Sequence, residues 1–312
     1  MLRVIGRRLL VAIPMLLVIA SLAFLLVSLI PGDPAVSILG QDATPAQVAA
    51  LRESLGLNRP LIVQYGDWML HALRGDLGTS IQSGRPVVGL IAERLPVTIS
   101  IAILGVIVTI VIGVLLGLLS ALRGGWIGKT AQVVSVLGVS VPGFWLGILL
   151  VLVFSVTLSL LPATGYVPIT DSPGEWLRSL VLPVITVALA GVAAIARQTR
   201  ASMNDALSKD YIRTLLASGT PRRTIIFKHA LRNASIPVVT SVGFQFITIF
   251  GGAFIIEQVF ALPGLGQLTV SAVSNHDIPL IQGVVLLSAV LVIVVNLVVD
   301  LLYSWLNPKV RR

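Results

Sequence analysis

The stretch Gly124-Gly125-Trp126-Ile127-Gly128-Lys129-Thr130 comes nearest to catalytic machinery, because a glycine-rich loop closed by Gly-Lys-Thr can wrap a phosphate in backbone amides. Such a loop needs four residues between its first glycine and the Gly-Lys-Thr. Gly124 leaves three, and Arg123 stands where the first glycine is required. The segment reads as a short turn without phosphate chemistry. The other reactive residue types lead no further. The chain has no cysteine, which excludes thiolate catalysis, disulfides and cysteine metal sites together. Its three histidines, His71, His229 and His276, are too far apart to pair on a metal, and none lies inside an apolar run. No Gly-x-Ser-x-Gly occurs. The expectation is a chain that is not an enzyme and binds no metal or cofactor of its own.

What remains is transport chemistry, and the elements around the polar residues give it a setting. Hydrophobic residues make up 56% of the 312 and charged ones 11%, with mean hydropathy +0.98. Soluble domains carry about a quarter charged residues, so this composition belongs in a bilayer. A hydrocarbon core about 30 Å thick needs roughly 20 apolar residues of helix. Six runs reach that length, near residues 9–30, 97–122, 133–161, 180–196, 236–256 and 278–302. The fold class is therefore an all-α polytopic membrane protein with six transmembrane helices. The first run follows Arg3, Arg7 and Arg8, as a signal peptide would, but it is longer than a cleavable apolar core and is expected to stay as an anchor.

Lys and Arg counts orient the spans, because cytoplasmic loops carry the excess. With the N-terminus inside, the inner segments hold Arg123, Lys129, Arg197, Arg200, Lys209, Arg213, Arg222, Arg223, Lys228 and Arg232. The outer segments are dominated by carboxylates, Asp33, Glu53, Asp76, Glu175, Glu257 and Asp277 among them. Both termini are placed in the cytoplasm. A net charge of +9 would suit nucleic acid only as a solvated stripe, whereas these basic residues flank apolar runs, so membrane lipid is the expected contact and nucleic acid is not.

Within the spans, Gln245, Asn296 and Asp300 are candidates for lining a pathway, because polar groups in a bilayer usually face a bundle interior or water. The last two lie four apart on one helical face. Gly113 with Gly117, and Gly143 with Gly147, have the GxxxG spacing that lets helices approach closely. Two segments outside the spans are large. The outer one, 31–96, contains a helical stretch from Pro45 to Leu57 ending at Gly56. In the inner one, 197–233, Ile212, Leu215, Leu216 and Gly219 fall at helical spacing, with Ser208 as a possible cap and Gly219 as a stop. Thr220-Pro221 then opens a second helix bearing Ile225, Ile226, His229 and Ala230 on one stripe. The stripe can dock on another subunit or pack on the chain's own membrane helices.

The stretch YIRTLLASGTPRRTIIFKHAL, Tyr211 to Leu231, resembles the cytoplasmic loop of bacterial ABC-importer permeases, with Gly219 at the family's glycine and Ala217 just before it. Arg213, Thr214 and Leu215 depart from the family's Glu-Ala-Ala. Pro31 to Pro34, LGLNRPLIVQYGDWMLHALRGDLGTSI (Leu55 to Ile81), RLPVT (Arg94 to Thr98), VFALPGLGQL (Val259 to Leu268) and NLVVDLLYSWLNPKVR (Asn296 to Arg311) are similar to the dipeptide and oligopeptide branch. The resemblance runs over nearly the whole chain. It implies an anchor helix at 1–30, an extracytoplasmic segment at 31–96 and a permease domain at 97–305 with a coupling loop at 197–233. It also implies a bacterial inner-membrane location. The implied partners are a second homologous permease, two ATPase subunits carrying ATP and Mg, and an extracytoplasmic substrate-binding protein. Ile212, Leu215, Leu216, Ala217, Gly219, Thr220 and Pro221 would be the ATPase-coupling residues. Peptide is the expected cargo, with nickel, glutathione or sugars as alternatives within the class. A secondary transporter is the rival mechanism, but the repeated halves it would show are not seen.

Overall fold

The computed structural model describes residues 2–29, 33–40, 42–123 and 142–306, and among these the chain is helical without a named strand. The elements are α1 (Leu2–Ser28), α2 (Pro34–Leu39), α3 (Pro45–Ser54), α4 (Leu61–Leu73), α5 (Val87–Leu122), α6 (Gly143–Thr157), α7 (Pro173–Leu207), α8 (Asp210–Ala217), α9 (Arg222–Val259), α10 (Leu265–Ser274) and α11 (Ile278–Leu306). Five helices are long and apolar enough to cross a membrane, in α1, α5, α7, α9 and α11. The expected third span appears as the shorter apolar helix α6, and the glycine-lysine turn at 124–130 lies outside the described residues.

Two helices begin well before the apolar runs that announce them. α5 starts at Val87 rather than Val97, carrying Glu93 and Arg94 in its first turns, and α9 starts at Arg222 rather than Ile236. Apolarity marks where a helix meets lipid, whereas backbone hydrogen bonding continues through charged residues until a cap or a proline stops it. Inside α9, Ile225–Ala230 forms a π-turn that joins the cytoplasmic portion to the membrane portion without a break. At 38 residues the helix is roughly 57 Å long. Pro142 precedes α6 as its N-cap instead of lying inside a span.

The described residues form two compact units. One comprises Ile5–Pro96 with Gly264–Ile293. There α4 packs on α1 through Phe24, Tyr65 and Trp68, with the Phe24 and Tyr65 rings edge-to-face at 5.4 Å. Asp277, placed among solvated outer carboxylates by the charge count, is instead buried. It caps α11 by accepting the Leu280 N–H at 3.4 Å, and takes the Ile81 N–H at 3.1 Å and the Ser80 hydroxyl at 2.5 Å.

The other unit is built on Val97–Pro263 with α11 from Val294 onward. Its organising contact is α5 against α7. A Cβ at Gly117 would stand 2.6 Å from Thr199 Cβ and 2.7 Å from the Ala196 carbonyl, and one at Gly113 would stand 2.8 Å from Ile195 Cβ. Gly105 faces Val187 in the same way, so the two helices touch backbone to side chain over several turns. Val97, Ile101, Leu180, Leu182, Ala253, Ile256 and Phe260 close one end of the core. Beside them Glu257, the second supposed outer carboxylate, is fully buried in α9 and accepts the Thr98 hydroxyl at 2.5 Å.

The GxxxG pairs therefore differ. Gly143 has nothing within 4 Å of its Cβ position, while Gly147 meets Phe260 at 3.2 Å. Gly117→Ala is expected to destabilise by about 1–3 kcal/mol through overpacking, and Gly143→Ala to be neutral or slightly stabilising. Thermal unfolding of the two variants in one detergent checks the opposite signs.

Candidate functional site

The cytoplasmic hairpin is built from α8 and the first turns of α9. α8 follows α7 after Ser208 and Lys209; its N-cap is Lys209, without a side-chain bond, and Ser208 closes α7 instead of opening α8. Gly219 ends α8 with φ +76°, a conformation that costs a side-chain-bearing residue and suits glycine. Its N–H donates to the Leu216 carbonyl at 3.1 Å, and the Thr220 N–H donates to the Leu215 carbonyl at 3.0 Å. These are the two bonds of a Schellman stop, and they turn the chain directly into Pro221, the N-cap of α9.

The predicted apolar stripe divides between two uses. Ile212 is buried with Met203, Ala206, Ile225, Ala230 and Ala234, and Leu215, Ile226, Leu118 and Leu122 pack around that cluster. The hairpin is thus seated on the inner ends of α5, α7 and α9 by its own side chains. Leu216 is 54% exposed, Ala217, Gly219 and Pro221 are exposed, and Thr220 is half-buried. Phe227, which lies off the predicted stripe, is 61% exposed next to them in sequence. An aromatic residue displaced from the apolar stripe of a basic loop was the signal available for it. Arg213, Arg222, Arg223, Lys228 and Arg232 are exposed around this apolar face. Arg213 approaches Asp210 at 3.6 Å, and so exposed a pair contributes little. Tyr211 accepts a hydrogen bond from Asn233 Nδ2 at 2.9 Å, tying α8 to α9.

Above the hairpin, the candidate pathway residues are distributed unequally. Gln245 is half-buried where α9 meets α7 and α5, and Gly191 leaves it room, since a Cβ there would stand 2.9 Å from Gln245 Oε1 and from Thr109 Oγ1. It closes a cleft of about 450 Å³ lined also by Ala194, Arg197, Gln198, Ala201, Ser241 and Phe244. Asn296 and Asp300 are half-buried on α11 and do not line that cleft. The outward faces of the helices also differ. α5 exposes Ile103, Ile107, Val111, Leu115 and Leu119, all aliphatic. α9 exposes Thr240, Phe244, Thr248, Gly251, Ile255 and Gln258 along one stripe. Among the described residues no group of three or more His, Asp or Glu is placed to hold a metal ion.

Comparison with known proteins gives this arrangement relatives. Residues 110–312 match the family described as binding-protein-dependent transport system inner membrane component, and residues 1–102 match its N-terminal companion family. A putative peptide transport system permease of Brucella abortus is 46% identical over 301 residues, 96% of each chain. A probable peptide ABC transporter permease of Sinorhizobium fredii is 41% identical over 306 residues, 98% of each chain. A glutathione transport system permease of Salmonella typhimurium is 43% identical over 312 residues, covering 100% of this chain and 99% of its own. Among solved structures, the MetNI methionine ABC transporter in an inward-facing conformation superposes with TM-score 0.59 at 18% identity, over 70% of this chain and 97% of that one, and so shares the fold.

The Schellman stop gives a test of the hairpin's rigidity. Gly219→Val is expected to cost about 1 kcal/mol or more locally and to speed amide exchange in the 210–221 segment roughly fivefold or more, whereas Gly219→Asn, which tolerates positive φ, stays near the parent. Hydrogen-exchange mass spectrometry on that segment separates the two.

Proposed function

This chain belongs to the binding-protein-dependent transport system inner membrane component family, and from that premise we propose that it forms half of the translocation pathway of an ATP-driven importer for di- and oligopeptides. It is a multi-pass inner-membrane permease component, and such components work with ATPase and substrate-binding proteins. In the finer reading, a second homologous permease supplies the other half of the pathway and two ATPase subunits bind ATP and Mg beneath the hairpin. A binding protein then delivers cargo to the outer side, where 31–96 is the extracytoplasmic segment between the 1–30 anchor and the 97–305 permease domain. This chain hydrolyses nothing in that scheme.

The observation that carries the reading is the continuity of α9. A hairpin seated on its own buried cluster and prolonged without a break into a membrane helix is a stiff element that can transmit a push. Leu216, Ala217, Gly219 and Phe227 offer the ATPase an apolar contact that needs no refolding of the hairpin, because Ile212 and Ile225 already hold it in place. Coupling requires an element whose position both ends of the cycle bias. Partner closure below and pathway opening above would share α7 and α9 as that element. The stripe of Thr240, Thr248, Gly251 and Gln258 on α9 would face the pathway, with Gln245 beside it and Asn296 and Asp300 as further candidates, since an aliphatic face such as that of α5 suits lipid better.

A second cargo reading has a specific observation behind it. The relative named for glutathione transport is 43% identical over the whole chain, and glutathione is itself a small peptide. Uptake of labelled dipeptides and of glutathione by cells with and without the chain separates the two. For coupling, Phe227→Ala and Leu216→Ser together are expected to weaken capture of the ATPase subunits by about tenfold, the effect of shrinking a small apolar interface. Gly219→Trp should leave the chain folded, since its Cβ position meets nothing within 4 Å, yet lower uptake more than ATP hydrolysis. Parental uptake by Gly219→Trp in an intact complex would remove the coupling assignment.

A further inference from the structure

The cleft between α7 and α9 carries a chemistry that neither the family match nor the relatives' names assign. Its lining contains a guanidinium from Arg197, the amides of Gln198 and Gln245, the Ser241 hydroxyl and the Phe244 ring, with Ala194 and Ala201 between them. Among the described residues no carboxylate lines it. The cleft's formal charge is therefore positive, and at about 450 Å³ it falls in the range of small-molecule sites, about 300–1,000 Å³.

We propose that this cleft is a weak anion site that receives the carboxylate of a small cargo molecule as it passes toward the cytoplasm. The proposal rests on the importer reading above. A guanidinium presents a planar fork of donors that matches a carboxylate in two parallel hydrogen bonds. The neighbours are preset. Gln198 Nε2 donates to Ser202 Oγ at 3.1 Å, which holds that amide in one orientation, and the Ser241 hydroxyl donates to the Pro237 carbonyl at 3.1 Å, which turns its lone pairs outward as acceptors. Phe244, 72% exposed, adds an aromatic wall for an apolar side chain. Carboxylate, amide and side chain of a small peptide would thus each meet a matching group.

The geometry also sets the strength. Arg197 is exposed and the cleft is open on one side, so its attraction is screened and the contact is short-lived. A pathway site has to be of this kind, favourable enough to enter and weak enough to leave. The same guanidinium could instead bind a lipid phosphate, which is also an anion, so the two sources need separate arms in the test.

The absence of cysteine in this chain makes the test direct. In the assembled complex in phosphatidylcholine nanodiscs, a Phe244→Cys chain is treated with a sulfonate-bearing thiosulfonate and with its trimethylammonium twin, and modification of this chain is read by mass. The expected result is about tenfold faster modification by the anionic reagent, as one nearby unit charge produces. The ratio should fall to about one in Arg197→Gln and persist in Arg197→Lys. N-acetyl-dialanine, which has a free carboxylate, should slow the reaction, and N-acetyl-dialanine amide should not. Equal protection by both peptides or by neither overturns the proposal, and so does disappearance of the reagent preference when phosphatidylglycerol is added, which gives the guanidinium to lipid. The measurement needs no uptake, so a complex that fails to import peptides but retains the carboxylate-specific protection would sink the cargo reading and leave the site standing.

Discussion

Most of the permease core depends on how closely α5 can approach α7. Gly105, Gly113 and Gly117 remove the side chains that would keep the helices apart, and Val187, Ile195 and Thr199 fill the space. In a bilayer, lipid competes equally well for apolar surface, so helices stay together through close packing and hydrogen bonds rather than hydrophobic exclusion. That contact makes α7 the most buried of the membrane-length helices, 67% of its apolar window against 33% for α9 and 28% for α5. A helix held so firmly is a sound base for whatever is attached to its ends, and α8 is attached to one of them.

The hairpin inherits this rigidity. Met203 and Ala206 at the inner end of α7 meet Ile212 from α8 and Ile225, Ala230 and Ala234 from α9 in one buried cluster. The two readings of the hairpin's apolar stripe, internal packing and docking, are complementary. Internal packing uses Ile212, Ile225 and Ala230, and what is left outside is a small patch around Leu216 and Phe227. A patch presented from a fixed base gives up little conformational entropy on contact, which is the condition for passing on a displacement rather than absorbing it.

How far the sequence disclosed this follows from what each signal measures. Apolar runs located the spans because hydrocarbon thickness fixes their length, and Gly219 could be read as a stop because positive φ is a local property of one residue. The starts of α5 at Val87 and α9 at Arg222 were hidden, since charged residues continue a helix as readily as apolar ones once outside lipid. Glu257 and Asp277 looked like loop carboxylates because their partners are remote. Thr98 is 159 positions from Glu257 and Ser80 is 197 from Asp277, and no local pattern announces a hydrogen bond across such a separation. Phe227 was missed because a periodic stripe directs attention to its own members, whereas an exposed aromatic beside the stripe is the informative exception. Gln245 could be singled out as an intramembrane amide, but its neighbourhood with Arg197 and Gln198 required the crossing of α7 and α9.

That crossing places the lever and the cargo cleft on the same pair of helices. Ser202 ties Gln198 in the cleft lining, and the next residue, Met203, belongs to the hairpin cluster. On α9, Ala234 belongs to the cluster and Ser241, seven residues on, to the cleft, a distance of roughly 10 Å along the axis. A rigid displacement of the hairpin by a partner cannot leave that distance to slack, because one unbroken helix spans it. Movement that opens α9 away from α7 would separate Arg197 from Ser241 and Gln245 and so dismantle the donor set around a bound carboxylate. Release of cargo then needs no separate trigger. The push that opens the inner end of the pathway also weakens the final cargo site along it, and a site that is already weak asks little differential energy of the ATP-driven step.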